Sequence, residues 1–199
     1  MYLSRLTLNS RSKAARRDAA NPYEMHSTLA RVLDPETGFL WRLEDTVLLV
    51  QTRERPDWGR LEPEYLARPS EGKSLELNSL ANLERPLRFR LRANPTVTKW
   101  DATANKRKRH GIYEVEAQLQ WLSKQGERGG FSLLGAMVSS SERLRCSKRD
   151  GAAPITLTTA TFDGHLRVHD AAVFTQTLET GLGHSRALGL GLLSVAVQR

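Results

Sequence analysis

Apolar and polar residues alternate along Tyr2-Leu-Ser-Arg-Leu-Thr-Leu8, the period-two mark of a half-buried strand. A basic connector follows, with Arg11, Lys13, Arg16 and Arg17, and ends near Asp18. From Asn21 the period changes: Met25, Leu29, Val32 and Leu33 recur at helical spacing. Phe39 to Glu44 and Thr46 to Thr52 then read as two strands joined by a turn near Asp45. Asp57 to Pro69 predicts an irregular or short helical piece, and the polar stretch Ser70 to Glu84, with Leu75 and Leu77 as a short strand, predicts a domain boundary.

The second half opens with the strongest strand pattern in the chain. In Leu87-Arg-Phe-Arg-Leu-Arg92, leucine and phenylalanine point one way while Arg88, Arg90 and Arg92 line the other face. Asn94-Pro95 stops it, and Thr96 to His110 reads as a basic loop carrying one aromatic, Trp100. Val115, Leu119 and Leu122 predict a helix closed by Gly126. Strands are predicted at Phe131 to Val138, Arg143 to Arg149 and Ile155 to Phe162, the last turning at Asp163-Gly164 into Leu166 to Val168. Asp170 caps a final helix with Ala171, Phe174 and Leu178 inside, followed by a glycine-rich loop and a last strand.

Each half thus spells strand, helix, strand, strand, helix, strand, although the second helix of the first half is weakly marked. That order predicts an α+β chain of two tandem ferredoxin-like (βαββαβ) domains, residues 1–84 and 85–199. RNA-recognition domains share the arrangement, but their closely spaced stacking aromatics are missing from this sequence.

Charge sharpens the picture. The chain has 199 residues and a formal net charge of +8. Between Arg85 and His110 there are nine Lys/Arg and one acidic residue, whereas Asp34 to Glu84 holds eleven acidic and six basic residues. One part is built to meet an anion, and a pI near 10.1 points to nucleic acid. A single cysteine, Cys146, excludes an internal disulfide and a Cys-rich zinc site, which fits a reducing cytoplasm. No apolar run approaches membrane-spanning length, and the N-terminus lacks a signal-type apolar run.

Two stretches carry candidate chemistry. In Asn21-Pro-Tyr-Glu-Met-His26, Asn at N-cap, Pro at N1 and Glu at N3 form a strong helix start. Tyr23 and His26, three apart, project from one side of its opening turns. Near the C-terminus, Gly181-Leu-Gly183 and Gly189-Leu-Gly191 flank His184 to Leu188. Such a loop presents successive amides suited to phosphate oxygens, and Arg186 at its middle adds a planar fork of donors. It has no Gly-Lys-Ser/Thr, and a helix precedes it where a dinucleotide fingerprint needs a strand. Taken singly, Gly181 reads better as a helix C′ residue and the Tyr–His pair as ordinary surface. His165 and His169 lie across a strand end without accompanying carboxylates, which disfavours a metal site.

The two stretches together resemble the CasE family, the CRISPR-associated endoribonuclease of Cascade within the RAMP superfamily. The likeness extends through Ala14-Ala-Arg-Arg-Asp18, Leu40-Trp-Arg-Leu43, Val50-Gln-Thr52, Pro56-Asp-Trp58 and Arg88-Phe-Arg-Leu-Arg-Ala-Asn-Pro95. The resemblance implies metal-independent cleavage of CRISPR repeat RNA at the base of its hairpin, without a cofactor. It also implies retention of the product by an enzyme that becomes a subunit of the surveillance complex, beside other Cascade subunits. By position, the catalytic histidine falls at His26, a supporting tyrosine at Tyr23, and the phosphate-facing loop at Gly181 to Gly191, with Gly181, Gly183, Arg186, Gly189 and Gly191 named within it. Two departures stand out: Arg186 replaces a common Lys, and Asn105 to Arg109 lacks the Gly-Lys-Arg wording of relatives.

The chemistry of the residues agrees. RNA supplies its own nucleophile, the 2′-OH, so attack leaves a 2′,3′-cyclic phosphate and needs no activated Ser or Cys. Histidine is suited to proton exchange near neutral pH, as base, acid or both. Loop amides and Arg186 are placed to stabilise charge at phosphorus. Arg88, Arg90, Arg92, Lys106, Arg107, Lys108, Arg109, Arg143, Arg145, Lys148 and Arg149 are the expected RNA-binding residues, contacting backbone and shape more than base edges. The alternative is a non-catalytic RAMP-like subunit that only holds guide RNA and has no use for His26.

Overall fold

A computed structural model describes residues 1–33, 38–81, 84–103, 105–147 and 153–197. Its first unit is built on a four-stranded antiparallel sheet of β1 (Tyr2–Thr7), β2 (Leu40–Glu44), β3 (Val47–Thr52) and β4 (Glu71–Ser74), in the order β2-β3-β1-β4. Two helices, α1 (Lys13–Ala20) and α2 (Pro22–Val32), cover one face. Met25 and Leu29 meet Leu6, Trp41, Leu48 and Val50 there, all nearly inaccessible to solvent. The weakly marked helix between β3 and β4 is absent as an α-helix; a single 3₁₀ turn, Trp58–Arg60, replaces it.

The basic connector is in fact α1. Sequence pattern hides it because only Ala15 and Asp18 face inward, too few for an apolar period. Asp18 is buried and accepts a hydrogen bond from the Tyr65 hydroxyl at 2.8 Å, with Arg17 paired to it at 2.7 Å.

After a short α3 (Leu77–Ala81), the second unit repeats the plan with β5 (Leu87–Ala93), α4 (Val115–Arg128), β8 (Phe131–Cys146), β9 (Ile155–Val168), α5 (Ala171–Thr180) and β10 (Leu193–Val197). Its sheet runs β10-β5-β9-β8, so the two units share one topology: the last strand lies beside the first, then the third, then the second. This is the tandem ferredoxin-like architecture the strand pattern predicts. Leu77 and Ala81 of α3 belong to the second core, packed with Leu87, Phe89, Leu91, Phe131, Phe162 and Phe174.

Four expectations change. Between β5 and α4, the basic loop is a β-hairpin of β6 (Thr96–Asp101) and β7 (Lys106–Gly111), pairing from Thr96↔Gly111 to Asp101↔Lys106. Phe131 to Val138 and Arg143 onward are one strand, β8, with register shifts at Leu133/Gly135 and Val138/Ser140. β9 likewise runs through Asp163-Gly164 without turning. Gly164 is there for close approach, since a Cβ on it would lie 2.2 Å from the Gly135 carbonyl oxygen. Gly126 lies inside α4 against Phe131, and the helix ends at Gly129. Among the described residues no helix is long and apolar enough to cross a membrane.

The units meet through β2. Arg42, only 3% exposed, donates from Nη1 to the carbonyls of Leu192 at 3.0 Å and Arg90 at 3.3 Å, and from Nε to Glu44 at 2.6 Å. Arg90 answers from β5, contacting Glu44 at 2.9 Å and Asp163 at 2.7 and 3.0 Å. Gln51 adds a bond to the Leu178 carbonyl at 2.6 Å.

Candidate active site

The opening of α2 is set by Asn21, which is both the C-cap of α1 and the N-cap of α2. Its side-chain oxygen accepts from the Tyr23 amide at 3.2 Å, and its Nδ2 donates to the Ser147 carbonyl at 2.8 Å. The reciprocal half of a capping box is replaced: the Asn21 amide donates to the Asp18 carbonyl, and Glu24 pairs with Arg17 at 3.6 Å. The helix mouth is therefore pinned to the end of β8, the strand that carries Arg143 and Arg145.

His26 lies one turn further on. Its ring stacks on Phe39, centroids 5.2 Å apart at 28°. Nδ1 is buried and has no hydrogen-bond partner among the described residues. Burial pushes the pKa of His26 below its ordinary value, so the neutral ring is favoured near pH 7. His184 is pushed the same way, first by burial and then by Arg109 and Arg186. The linkage follows in sign: in the window below about 6.5 the unfolded chain binds protons these two folded imidazoles refuse, so stability falls as pH falls. Thermal melts across about pH 5 to 7.5 are expected to show this slope, and His26→Gln should flatten part of it. An unchanged slope in both His26→Gln and His184→Gln would refute the assignment.

The glycine loop packs against this helix. Its 3₁₀ turn, Arg186–Leu188, contacts both α2 and β2. Gly181, Gly183, Gly189 and Gly191 all have φ between +75° and +89°, and Ser185 between them is also left-handed. Gly189 shows why glycine is needed: a Cβ there would lie 2.6 Å from the Trp41 ring. The amides of Gly181, Gly189 and Gly191 donate to Thr177, Arg186 and Arg92 carbonyls at 2.9, 3.1 and 2.7 Å. These three glycines thus shape the loop, while the amides of Gly183, His184 and Ser185 donate to none of the described residues. Gly181 is also the C-cap of α5. A cavity of about 330 Å³ is lined by Phe39, on which His26 stacks, together with Gly38, Leu40, Glu179, Thr180 and Arg186. Arg186 is exposed beside it and donates to the Thr180 carbonyl.

The expected basic residues divide into two groups. Arg90 and Arg92 reach the first unit through Glu44 and the Leu43 carbonyl (3.5 Å) respectively, while Asp163 and Glu142 (3.3 Å) pair with them from their own sheet. Arg90 holds the Asp163 carboxyl below the usual range. Arg88, Lys106, Arg107, Lys108, Arg109, Arg143 and Arg145 are exposed. Lys108 pairs with Asp101 across the hairpin, and Arg143 sits 5.1 Å over the Tyr113 ring. Lys148 and Arg149 lie outside the described residues. The charge of Arg109 is felt at His184 of the loop. Among the described residues no three of His, Cys, Asp and Glu converge as a metal site.

Sequence reasoning misses Phe39, Trp41 and Arg42, which position His26 and the loop. Trp41 and Arg42 enter the sequence reading only within the family-like Leu40-Trp-Arg-Leu43, and the structure buries both in β2, where a buried arginine demands partners.

Two tandem ferredoxin-like units, a histidine at a helix mouth, a glycine loop packed on that helix and a basic hairpin define the class. The model of the family described as CRISPR associated protein matches residues 1–197, and the chain belongs to that family. It is 40% identical over 217 aligned residues to the CRISPR-associated endoribonuclease Cse3 of Thermus thermophilus, covering 98% of this chain and all of the relative. It is 32% identical over 118 residues to the CRISPR system Cascade subunit CasE of Escherichia coli, covering 56% of this chain and 58% of that one. The structure of Thermus thermophilus Cse3 bound to an RNA representing a pre-cleavage complex superposes with a TM-score of 0.83 at 36% identity, over 98% of each chain.

Proposed function

We propose that this chain is an endoribonuclease that cuts CRISPR repeat RNA at the base of its hairpin and stays with the product as a subunit of a Cascade-type complex. The observation that carries the reading is the packing of the His26 helix on the turn of the glycine loop, in a chain that also exposes cations along β7 and β8. The RNA 2′-oxygen attacks the adjacent phosphorus as a ring nitrogen of His26 takes its proton; the bond to the 5′-oxygen breaks, and that oxygen takes up a proton from water as it leaves. Burial of the imidazole favours the neutral form a proton acceptor needs. Tyr23, on the same helix mouth, orients the 2′-OH. The amides from Gly183 to Ser185 and the guanidinium of Arg186 stabilise the charge that builds on the phosphoryl oxygens. Lys106, Arg107, Arg109, Arg143 and Arg145 hold the RNA backbone, which makes binding steeply dependent on salt.

Relatives named Cse3 and CasE support the substrate class and the complex. No step above calls on a metal ion, so cleavage of a cognate repeat is expected to proceed in EDTA at an undiminished rate and to leave a 2′,3′-cyclic phosphate. A single 2′-deoxy nucleotide at the scissile position should abolish it. Cleavage that stops in EDTA, or that survives the deoxy substitution, would overturn this mechanism.

A further inference from the structure

The face of the β6–β7 hairpin opposite Arg109 roofs a groove of about 500 Å³ whose floor is α4. Cross-strand partners share a face, so Thr98 and Arg109 lie on one side of the hairpin and Val97 and Lys99 on the other. Val97 and Lys99 line the groove. From α4, Trp121, Lys124 and Arg128 enter it, spaced three and four apart so that one stripe of the helix faces the hairpin. Tyr113 closes one end and is 52% exposed, with Arg143 over its ring. Glu114 is the acidic residue of the lining.

This combination is unusual for a bare surface. Tyr113 and Val97 remain exposed although a core lies directly beneath, and three cations surround them against one carboxylate. Aromatic faces with cations spaced around them suit an unpaired nucleotide, whose base stacks while its phosphate is neutralised. A protein segment is the poorer match, because three cations against one carboxylate favour a polyanion.

Position adds a second argument. Trp121 abuts the glycine loop, where a Cβ on Gly183 would lie 3.3 Å from its ring. Arg143 over Tyr113 and Ser147 at the mouth of α2 belong to one extended run, about 14 Å apart at the rise of a strand. RNA engaged at His26 can therefore reach the groove within a few nucleotides.

We infer that the groove between the β6–β7 hairpin and α4 is a subsite for one unpaired nucleotide flanking the scissile linkage of the bound RNA, stacked on Tyr113 and neutralised by Lys99, Lys124 and Arg128. This rests on the endoribonuclease reading. It distinguishes RNA bearing a single-stranded flank from the bare hairpin.

The test compares the full chain and Tyr113→Ala on two RNAs: a repeat hairpin with its single-stranded flanks and the same hairpin trimmed to the stem-loop. Loss of one base–aromatic stack should weaken binding of the flanked RNA roughly five- to a hundred-fold and leave the trimmed RNA unchanged. Tyr113→Phe should bind like the parent, and Lys124→Gln should show the same selectivity as Tyr113→Ala with a smaller loss. 2-Aminopurine placed successively along the flanks should be quenched on binding at one position, and Tyr113→Ala should restore its fluorescence. Equal weakening on both RNAs would mean a stem contact or a folding defect, and no weakening on either would mean no subsite; each overturns the inference while leaving the cleavage assay intact. A parent chain that neither binds nor cuts any repeat RNA would remove the endoribonuclease reading itself, and the subsite with it.

Discussion

Replacing His26 with alanine is expected to slow single-turnover cleavage of a repeat hairpin by about 10²- to 10⁴-fold, the usual contribution of one positioned proton-transfer group. RNA affinity should change little, because the cations proposed to hold the RNA lie on β7, β8 and the glycine loop. The ring is half-buried and its Nδ1 has no partner, so alanine leaves no complementary group orphaned in the protein. The cost is confined to the lost stack on Phe39, a contact worth about 1 kcal/mol by analogy with aromatic pairs. The variant should therefore fold, bind and fail to cut. Tyr23→Phe, which keeps the ring and removes the hydroxyl, should lose less. Normal cleavage by His26→Ala would move the active site elsewhere. If the parent chain binds repeat RNA tightly and cuts none, the non-catalytic RNA-holding subunit becomes the better reading.

How far the sequence reveals this site depends on which physical signal each part carries. α2 is legible because its cap is local: Asn, Pro and Glu at the first positions, then an apolar stripe. β5 is legible because alternation is strict and one face is fully buried. The hairpin is illegible for the opposite reason. All of Val97 to Trp100 and Lys106 to His110 are exposed, so no apolar face imposes a period of two, and pairing across the turn leaves no mark on either strand alone. Local pattern breaks β9 at Asp163-Gly164 because that dipeptide usually turns, and only the approach of Gly135 explains a glycine there. The juxtaposition of His26 with the loop is invisible to any local rule. It arises from two units with separate cores meeting through β2, a long-range arrangement that only the resemblance to a known family anticipates.

That docking rests on Arg42, and Arg42→Ala is expected to cost more stability than any other substitution named above. The guanidinium is almost inaccessible, and burial pushes its pKa below the ordinary value even with Glu44 beside it. Truncation removes the Arg42 donor from the Leu192 and Arg90 carbonyls and leaves Glu44 to Arg90. Breaking a buried ion pair from one side costs about 3–5 kcal/mol; Glu44 is 36% exposed, so roughly 3 kcal/mol is the reasonable figure. For a chain of this size that corresponds to a fall in Tm of roughly 6–12 °C. Because the lost bonds join two units with separate cores, the melt should also separate toward two transitions, visible by calorimetry. Arg42→Lys retains charge but not the fork that spans two carbonyls and a carboxylate, so it should fall between. Leu192 directly follows Gly191, and the same change therefore frees the far end of the glycine loop while leaving His26 untouched. The cleavage rate should drop with it even at temperatures where both units remain folded, whereas RNA affinity, held by β7 and β8, should drop less. An Arg42→Ala protein with the parent's Tm and the parent's cleavage rate would mean that the two halves of the site are held together by something other than β2.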